Sequence, residues 1–190
     1  MSYSTQVILN PIHLFFERYS EFRYNPSRET MAQFWEMCDC YHWDKEDDER
    51  TEALAGIRDA IAQQFNAFYG DDADSLEGWH SLFRALQIQD VPDTVKGCKD
   101  LIETIHVNIC DLVDHKEDVP LKHPSEDALA EYSRSSGKIY PRENAYAGGL
   151  LRFLLRQIYG KYRGRRRKGG QGEGGGQSRG GSRRRRRRHD

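Results

Sequence analysis

Apolar residues recur every three or four positions along most of the first 160 residues, the spacing that lays one side of an α-helix against a core. Asn10-Pro11 opens a first helix, with Ile12, Phe15, Phe16, Tyr19 and Phe22 on one side. Asn25-Pro26-Ser27 reads as a turn and cap, and Met31, Phe34, Trp35 and Cys38 follow at helical spacing. Asp44 is placed to cap a third helix, whose series Leu54, Ile57, Ile61, Phe65, Phe68 stops at Gly70. Ser75 caps a short fourth helix with Leu76, Trp79, Leu82, Phe83 and Leu86. Asp93, just after Pro92, caps a fifth, and the stripe Cys98, Ile102, Ile105, Ile109, Leu112 predicts one continuous helix. A loop over 115–124 carries two prolines. Ser125 caps a helix through Leu129 and Tyr132 that ends at Gly137. Pro141 starts the last helix, with Ala145, Leu150, Phe153, Leu154 and Ile158 inward and Gly160 at its end. The β-branched alternation of strands is not sustained anywhere; Val7-Ile8-Leu9 is a brief exception. The expected fold class is therefore all-α, an irregular multi-helix single domain over residues 1–160, with no internal repeat.

Glycine and charge mark where that domain ends. Ten of the 17 glycines lie at or after Gly160, and beyond Tyr162 there is no aliphatic or aromatic residue. Such a segment buries too little apolar surface to offset its chain entropy, so residues 161–190 are expected to be a disordered Arg/Gly-rich tail. The formal charge of −1 divides sharply. Residues 161–190 hold 13 of the 29 basic residues and two acids, a net of +11; the first 160 hold 16 basic and 28 acidic residues, a net of −12. Opposed halves of this kind indicate a charged interaction tail on an acidic body.

Mean hydropathy is −0.86, and no apolar run approaches the roughly 18 residues of a membrane-spanning helix, so no integral membrane association is expected. The start, MSYSTQVILNPIHLFFERY, has no basic stretch before its apolar one and does not read as a secretory signal. Cys38, Cys40, Cys98 and Cys110 are four thiols in an aromatic-rich body, expected to be reduced inside the cell rather than a disulfide framework.

Five stretches, FERYSEFRYNP (16–26), FNAFYG (65–70), LEGWHSLFRALQI (76–88), HVNICDLVD (106–114) and SGKIYPRENAYAGGLLRFLLRQI (136–158), resemble a family of small uncharacterised all-helical proteins of filamentous fungi. The resemblance covers most of residues 14–160, with SGKIYP and GGLLRFLLR its most specific part. It implies an intracellular fungal protein, carries over no catalytic residue, and leaves the tail outside.

The tail holds the strongest chemical signal. Lys161, Arg163, Arg165, Arg166, Arg167 and Lys168 form one basic cluster; Arg183, Arg184, Arg185, Arg186, Arg187 and Arg188 form another, with Arg179 in the Gly/Gln/Ser spacer. Guanidinium groups pair bidentately with phosphate oxygens and stay charged at every working pH. A flexible polycation gains affinity for RNA or DNA by releasing counterions, and it has no means of reading bases. Either cluster also suits nuclear import, so the nucleus is the expected location. The segment LLRFLLRQIYGKYRGRRRK could lie on an anionic membrane or enter a groove, but Gly160 interrupts its pattern, and a core helix with cations in its last turn is the simpler reading.

Other constellations are weaker. Cys38-Asp39-Cys40-Tyr41-His42 is a poor match to zinc-ligand spacing. Glu77…His80 and Glu103…His106 have the i, i+3 spacing of carboxylate di-iron bundles, with Glu36 and Glu52 as conceivable further ligands. Chance spacing of 14 glutamates and seven histidines already gives about half a pair of this kind, and Gly78 sits inside one of them. His106, Cys110 and Asp114 fall along one predicted helix, as do Asn108, Asp111 and His115, whereas nucleophilic catalysis needs groups converging from different elements. Trp35, Trp43 and Trp79 lie within amphipathic series and read as core anchors. No catalytic residue, metal ligand or cofactor is assigned. The expected function is a non-catalytic helical interaction module whose tail binds nucleic acid without sequence selectivity or directs nuclear import, and whose acidic body meets a basic protein partner. The rival is a small helical enzyme or accessory factor of fungal metabolism with a pocket between helices, which a buried polar cluster in a large concave pocket would favour.

Overall fold

The side chain of Asn10 accepts a hydrogen bond from the His13 N–H at 3.1 Å and Pro11 takes the first helical position, so α1 (Pro11–Phe16) starts where the sequence places it. The computed structural model describes residues 10–114, 119–141 and 149–155. They form a mostly helical single domain with one core cluster. α1 ends at Phe16, a turn earlier than the apolar spacing to Phe22 suggests. Tyr19 N–H then donates to Phe16 O at 2.9 Å and Phe22 N–H to Tyr19 O at 3.0 Å, and this folding back lets Tyr24 stack on Phe16 with ring centroids 4.4 Å apart.

Ser27 does not cap the next helix. Its N–H donates to Asn25 Oδ1 in a local turn, and α2 (Thr30–Cys40) begins after Glu29, whose side chain makes no cap bond. The Thr30 N–H at that helix start donates instead to Asp114 Oδ1, 3.0 Å away and 84 residues along the chain. α3 (Asp48–Tyr69) begins after Asp47 rather than Asp44; the Asp47 carboxylate accepts from the Asp44 N–H at 2.8 Å, outside the helix. Asp48 and Glu49 in the first turn suit the positive end of its dipole. α3 is the central element and packs against α1, α4, α6 and α8. Helices approach it from several directions, so it buries small residues (Ala53, Ala60, Ala62) beside large ones (Ile57, Ile61, Phe65).

Ser75 caps α4 (Leu76–Ala85) as expected, its Oγ accepting from the Gly78 N–H at 3.3 Å. Gly78 is required by proximity: a Cβ there would lie 2.6 Å from the carbonyl oxygen of Tyr69 at the end of α3. α5 (Val95–Ile102) is capped by Thr94, not Asp93; Thr94 Oγ1 accepts from the Gly97 N–H at 3.1 Å.

The continuous fifth helix expected through Leu112 is broken. After Ile102 the chain turns, forms β1 (His106–Val107), and only then enters α6 (Ile109–Asp114). Ile105 and Val107 are buried with half-buried His106 between them, a two-residue period that suits an extended strand. Asn108 restarts the helix by accepting from the Cys110 N–H at 2.9 Å through Oδ1. Within the expected 115–124 loop lies β2 (Lys122–His123), antiparallel to β1, with His106 opposite His123 and Val107 opposite Lys122.

α7 (Glu126–Ser135) is capped by Ser125, whose Oγ accepts from the Ala128 N–H at 3.1 Å, and Gly137 at φ +70° follows its end. α8 (Leu151–Leu154) buries Leu151 and Leu154, and Leu155 after it is extended. At its start Gly149 has φ +55°, and a Cβ would meet Asp71 O at 2.1 Å. Val7-Ile8-Leu9, Ala145, Ile158, Gly160 and the whole of 161–190 lie outside the described residues. None of the described helices is long and apolar enough to cross a membrane.

Candidate functional site

Lys138, in the SGKIYP segment after α7, is a lysine only 2% exposed. An ammonium there must be answered by acceptors or abandon its charge. Its Nζ donates to Asp111 Oδ1 on α6 at 2.7 Å, to Glu29 Oε1 before α2 at 2.7 Å, and to the Tyr132 hydroxyl on α7 at 3.0 Å. Tyr132 donates in turn to Asp111 Oδ1 at 3.2 Å. Burial pulls the Lys138 ammonium toward neutrality, but the bonds to Asp111, Glu29 and Tyr132 outweigh it and hold the group well above the ordinary lysine range. It stays charged throughout the physiological range, unlike the depressed lysines that serve as bases.

Asn108 extends the network. Its Nδ2 donates to Ser133 Oγ at 2.8 Å and to the Lys138 carbonyl at 2.9 Å, while Ser133 Oγ donates to Leu129 O at 2.8 Å. The His106–His123 pair borders it, with the His123 ring 4.7 Å from that of Tyr132. Burial, with His106 reinforcing and Asp111 opposing, lowers the His123 pKa and keeps it neutral at neutral pH. Asp111 Oδ2, His106 Nδ1 and His123 Nε2 have no hydrogen-bond partner among the described residues. The cavity against Asn108, Ser133 and Lys138 measures about 20 Å³. That admits a water molecule and no substrate.

A larger cavity, about 230 Å³, lies elsewhere, between the entry to α2, the face of α3 and the end of α6. Tyr24, Thr30, Gln64, Phe68 and Asp114 contribute its polar and aromatic lining.

The basic residues Lys161 to Arg188 singled out from the sequence lie outside the described residues. The other constellations are dispersed. Glu36, Glu52, Glu77 and Glu103 are exposed; Glu36 pairs with Arg28, and Glu103 sits in the turn after α5 rather than on a helix with His106. His80 Nε2 lies 3.3 Å from Pro92 O. Cys38 is buried and Cys40 exposed, and among the described residues no three His, Cys, Asp or Glu side chains converge as metal ligands. Cys110 is buried with its thiol pushed far up by desolvation, a poor nucleophile. His106 lies on β1, while Asp114 shares α6 with Cys110. Trp79 is fully buried, donating to Ala73 O at 2.9 Å, and half-buried Trp43 stacks on Tyr41. Sequence reading missed Lys138, Glu29 and Gln64. It noticed Asn108 and Asp111 as one polar row and had no way to supply their partner.

The chain matches no family model, no curated protein and no solved structure.

Proposed function

We propose that the protein is a non-catalytic helical interaction module whose basic segment, residues 161–190, binds RNA or DNA without sequence selectivity and directs it to the nucleus. The charge division carries this reading: +11 over those 30 residues against −12 over the first 160. Two features of the body support it. The deeply buried ionic cluster around Lys138 is closed, with room beside it for one water. The stretch from the end of α2 into α3 is acidic, with Asp39, Asp44, Glu46, Asp48, Glu49 and Glu52 exposed against one exposed lysine, Lys45, and suits a basic partner.

Titration of single-stranded nucleic acid at several salt concentrations tests the reading. Each phosphate contact contributes about −0.7 to the slope of log affinity against log salt. The full chain is expected to show a steep slope and similar affinity for unrelated sequences. Replacing Arg183 through Arg188 with glutamine is expected to flatten it by up to six such increments. A slope unchanged even when all 13 basic residues of 161–190 are replaced removes the tail as the contact.

A further inference from the structure

Two glutamines are buried on the core helices, and they differ in one respect. Gln33 on α2 is fully engaged: its Oε1 accepts from the Asn25 N–H at 2.7 Å, and its Nε2 donates to Asn25 O and Arg28 O at 2.9 and 3.0 Å. Gln64 on α3 is 2% exposed, yet its Oε1 has no hydrogen-bond partner among the described residues. A buried polar atom left unmade costs about 1–3 kcal/mol, so such atoms are rare unless something external completes them. Gln64 lines the 230 Å³ cavity.

The rest of the described lining sets the polar groups of Asn10, Tyr24, Thr30 and Asp114 beside apolar surface that includes Ile12 and Val113. Asp114 brings a carboxylate, whose Oδ1 accepts the Thr30 N–H. Burial, with the Asp114 charge reinforcing it and the Thr30 side chain opposing, raises the pKa of the Tyr24 phenol. Tyr24 and Phe68 add aromatic rings. Among the described residues no lysine or arginine lines the space. The described lining thus joins acceptors and one carboxylate to aromatic and aliphatic surface. At 230 Å³ it also falls below the roughly 300–1,000 Å³ of pockets that enclose drug-sized ligands, which excludes a nucleotide and suits a single side chain.

We propose that this cavity is a guanidinium pocket, taking the side chain of an arginine carried on a basic, glycine-rich segment. A guanidinium is flat, always charged, and carries five N–H donors in a fixed fork. Its plane lies against Tyr24 and Phe68, one edge completes Gln64 Oε1, and the other faces the Asp114 carboxylate. A lysine ammonium offers the charge without the flat face or the fork. The arginine has two possible sources: the chain's own 161–190 segment, where 11 arginines stand among nine glycines, two serines and two glutamines, or a partner of similar composition. The pocket stands apart from the nucleic-acid reading and would survive its failure.

The test uses the full-length chain with all 13 basic residues of 161–190 replaced by glutamine, so that no internal arginine competes. The peptide Gly-Arg-Gly is titrated while the side-chain amide resonances of Gln64 are followed by NMR, with Gly-Lys-Gly and the neutral citrulline peptide as controls. The arginine peptide is expected to shift those resonances saturably and to bind roughly tenfold or more tightly than the citrulline peptide, the usual loss when a charge-assisted bond is removed. Gln64→Leu and Phe68→Leu, made separately, are each expected to weaken it. No saturable shift, equal binding of arginine and citrulline, or undiminished binding by a folded Gln64→Leu variant overturns the proposal. The source is read by repeating the titration on the unaltered chain: weaker apparent binding there means the chain's own arginines occupy the pocket, and equal binding assigns it to a partner's.

Discussion

The surroundings of Lys138 and of Gln64 are both polar, both buried, and opposite in design. Around Lys138 the ammonium meets three acceptors from three different parts of the chain; of these residues only Asp111 has a buried oxygen, Oδ2, without a partner among the described residues, and the space left over has room for one water. Around Gln64 an acceptor without a donor among the described residues stands beside a cavity more than ten times larger. Buried charge by itself therefore does not point to chemistry. Where most polar groups complete one another they fix the arrangement of elements; an incomplete one beside a volume large enough for a side chain is where an outside partner is to be sought.

The comparison breaks first at Lys138. Lys138→Met leaves Asp111, only 6% exposed, without its cation, and is expected to cost about 3–5 kcal/mol in urea unfolding. Glu29→Gln touches the same ammonium from a side chain 46% exposed and should cost no more than about 1 kcal/mol. Equal effects would show that Lys138 is not anchored chiefly through Asp111. Next in size is Gly149→Ala, where φ +55° and a Cβ 2.1 Å from Asp71 O force backbone to move, at an expected 1–3 kcal/mol or so by thermal denaturation.

A smaller effect follows pH. The His123 pKa is lowered in the folded protein, so the unfolded chain binds the proton more readily. Its contribution to stability is complete above the unfolded value near 6.5 and is lost as pH falls through the lower folded value. Unfolding measured between pH 7 and 5 should show this decline, and His123→Phe should flatten it; an identical profile in the variant would place the titration elsewhere. The smallest effect has the opposite sign. Gln64→Leu removes an unsatisfied acceptor from the core and should leave the protein as stable as before, or more stable by up to about 1 kcal/mol. A loss beyond 2 kcal/mol or so would mean the glutamine serves the fold and not a ligand.

The helices were largely legible because their signals are local. Asn10, Ser75 and Ser125 each cap the helix they precede, and the inward series on α3 and α4 are buried or half-buried as their spacing implies. Failure came where two periods coincide. From Cys98 to Leu112 the helical stripe is intact in the sequence, yet Val107, Cys110 and Val113 are buried as well, so burial on all sides hides the change of phase at β1. Asp44 and Asp93 were equally good cap residues by type, and their neighbours Asp47 and Thr94 took the positions. The Lys138 cluster was out of reach for a different reason. Its ammonium finds carboxylates 27 and 109 residues away, and no spacing rule connects them. Gln64 did leave a trace. With Ile57, Ile61 and Phe68 it continues one inward stripe, and a glutamine in such a row asks what it bonds to.

The 109-residue span between Glu29 and Lys138 also bears on the order in which the chain assembles. The ammonium needs α6, α7 and the entry to α2 in place together, so it gains nothing until long loops are closed. Local helices such as α3 form without it, and the lysine docks when the rest is nearly complete. Its bonds then act as a late latch: weakening them should leave the folding rate almost unchanged and speed unfolding, so that the lifetime of the native state, more than the ease of reaching it, depends on one buried lysine.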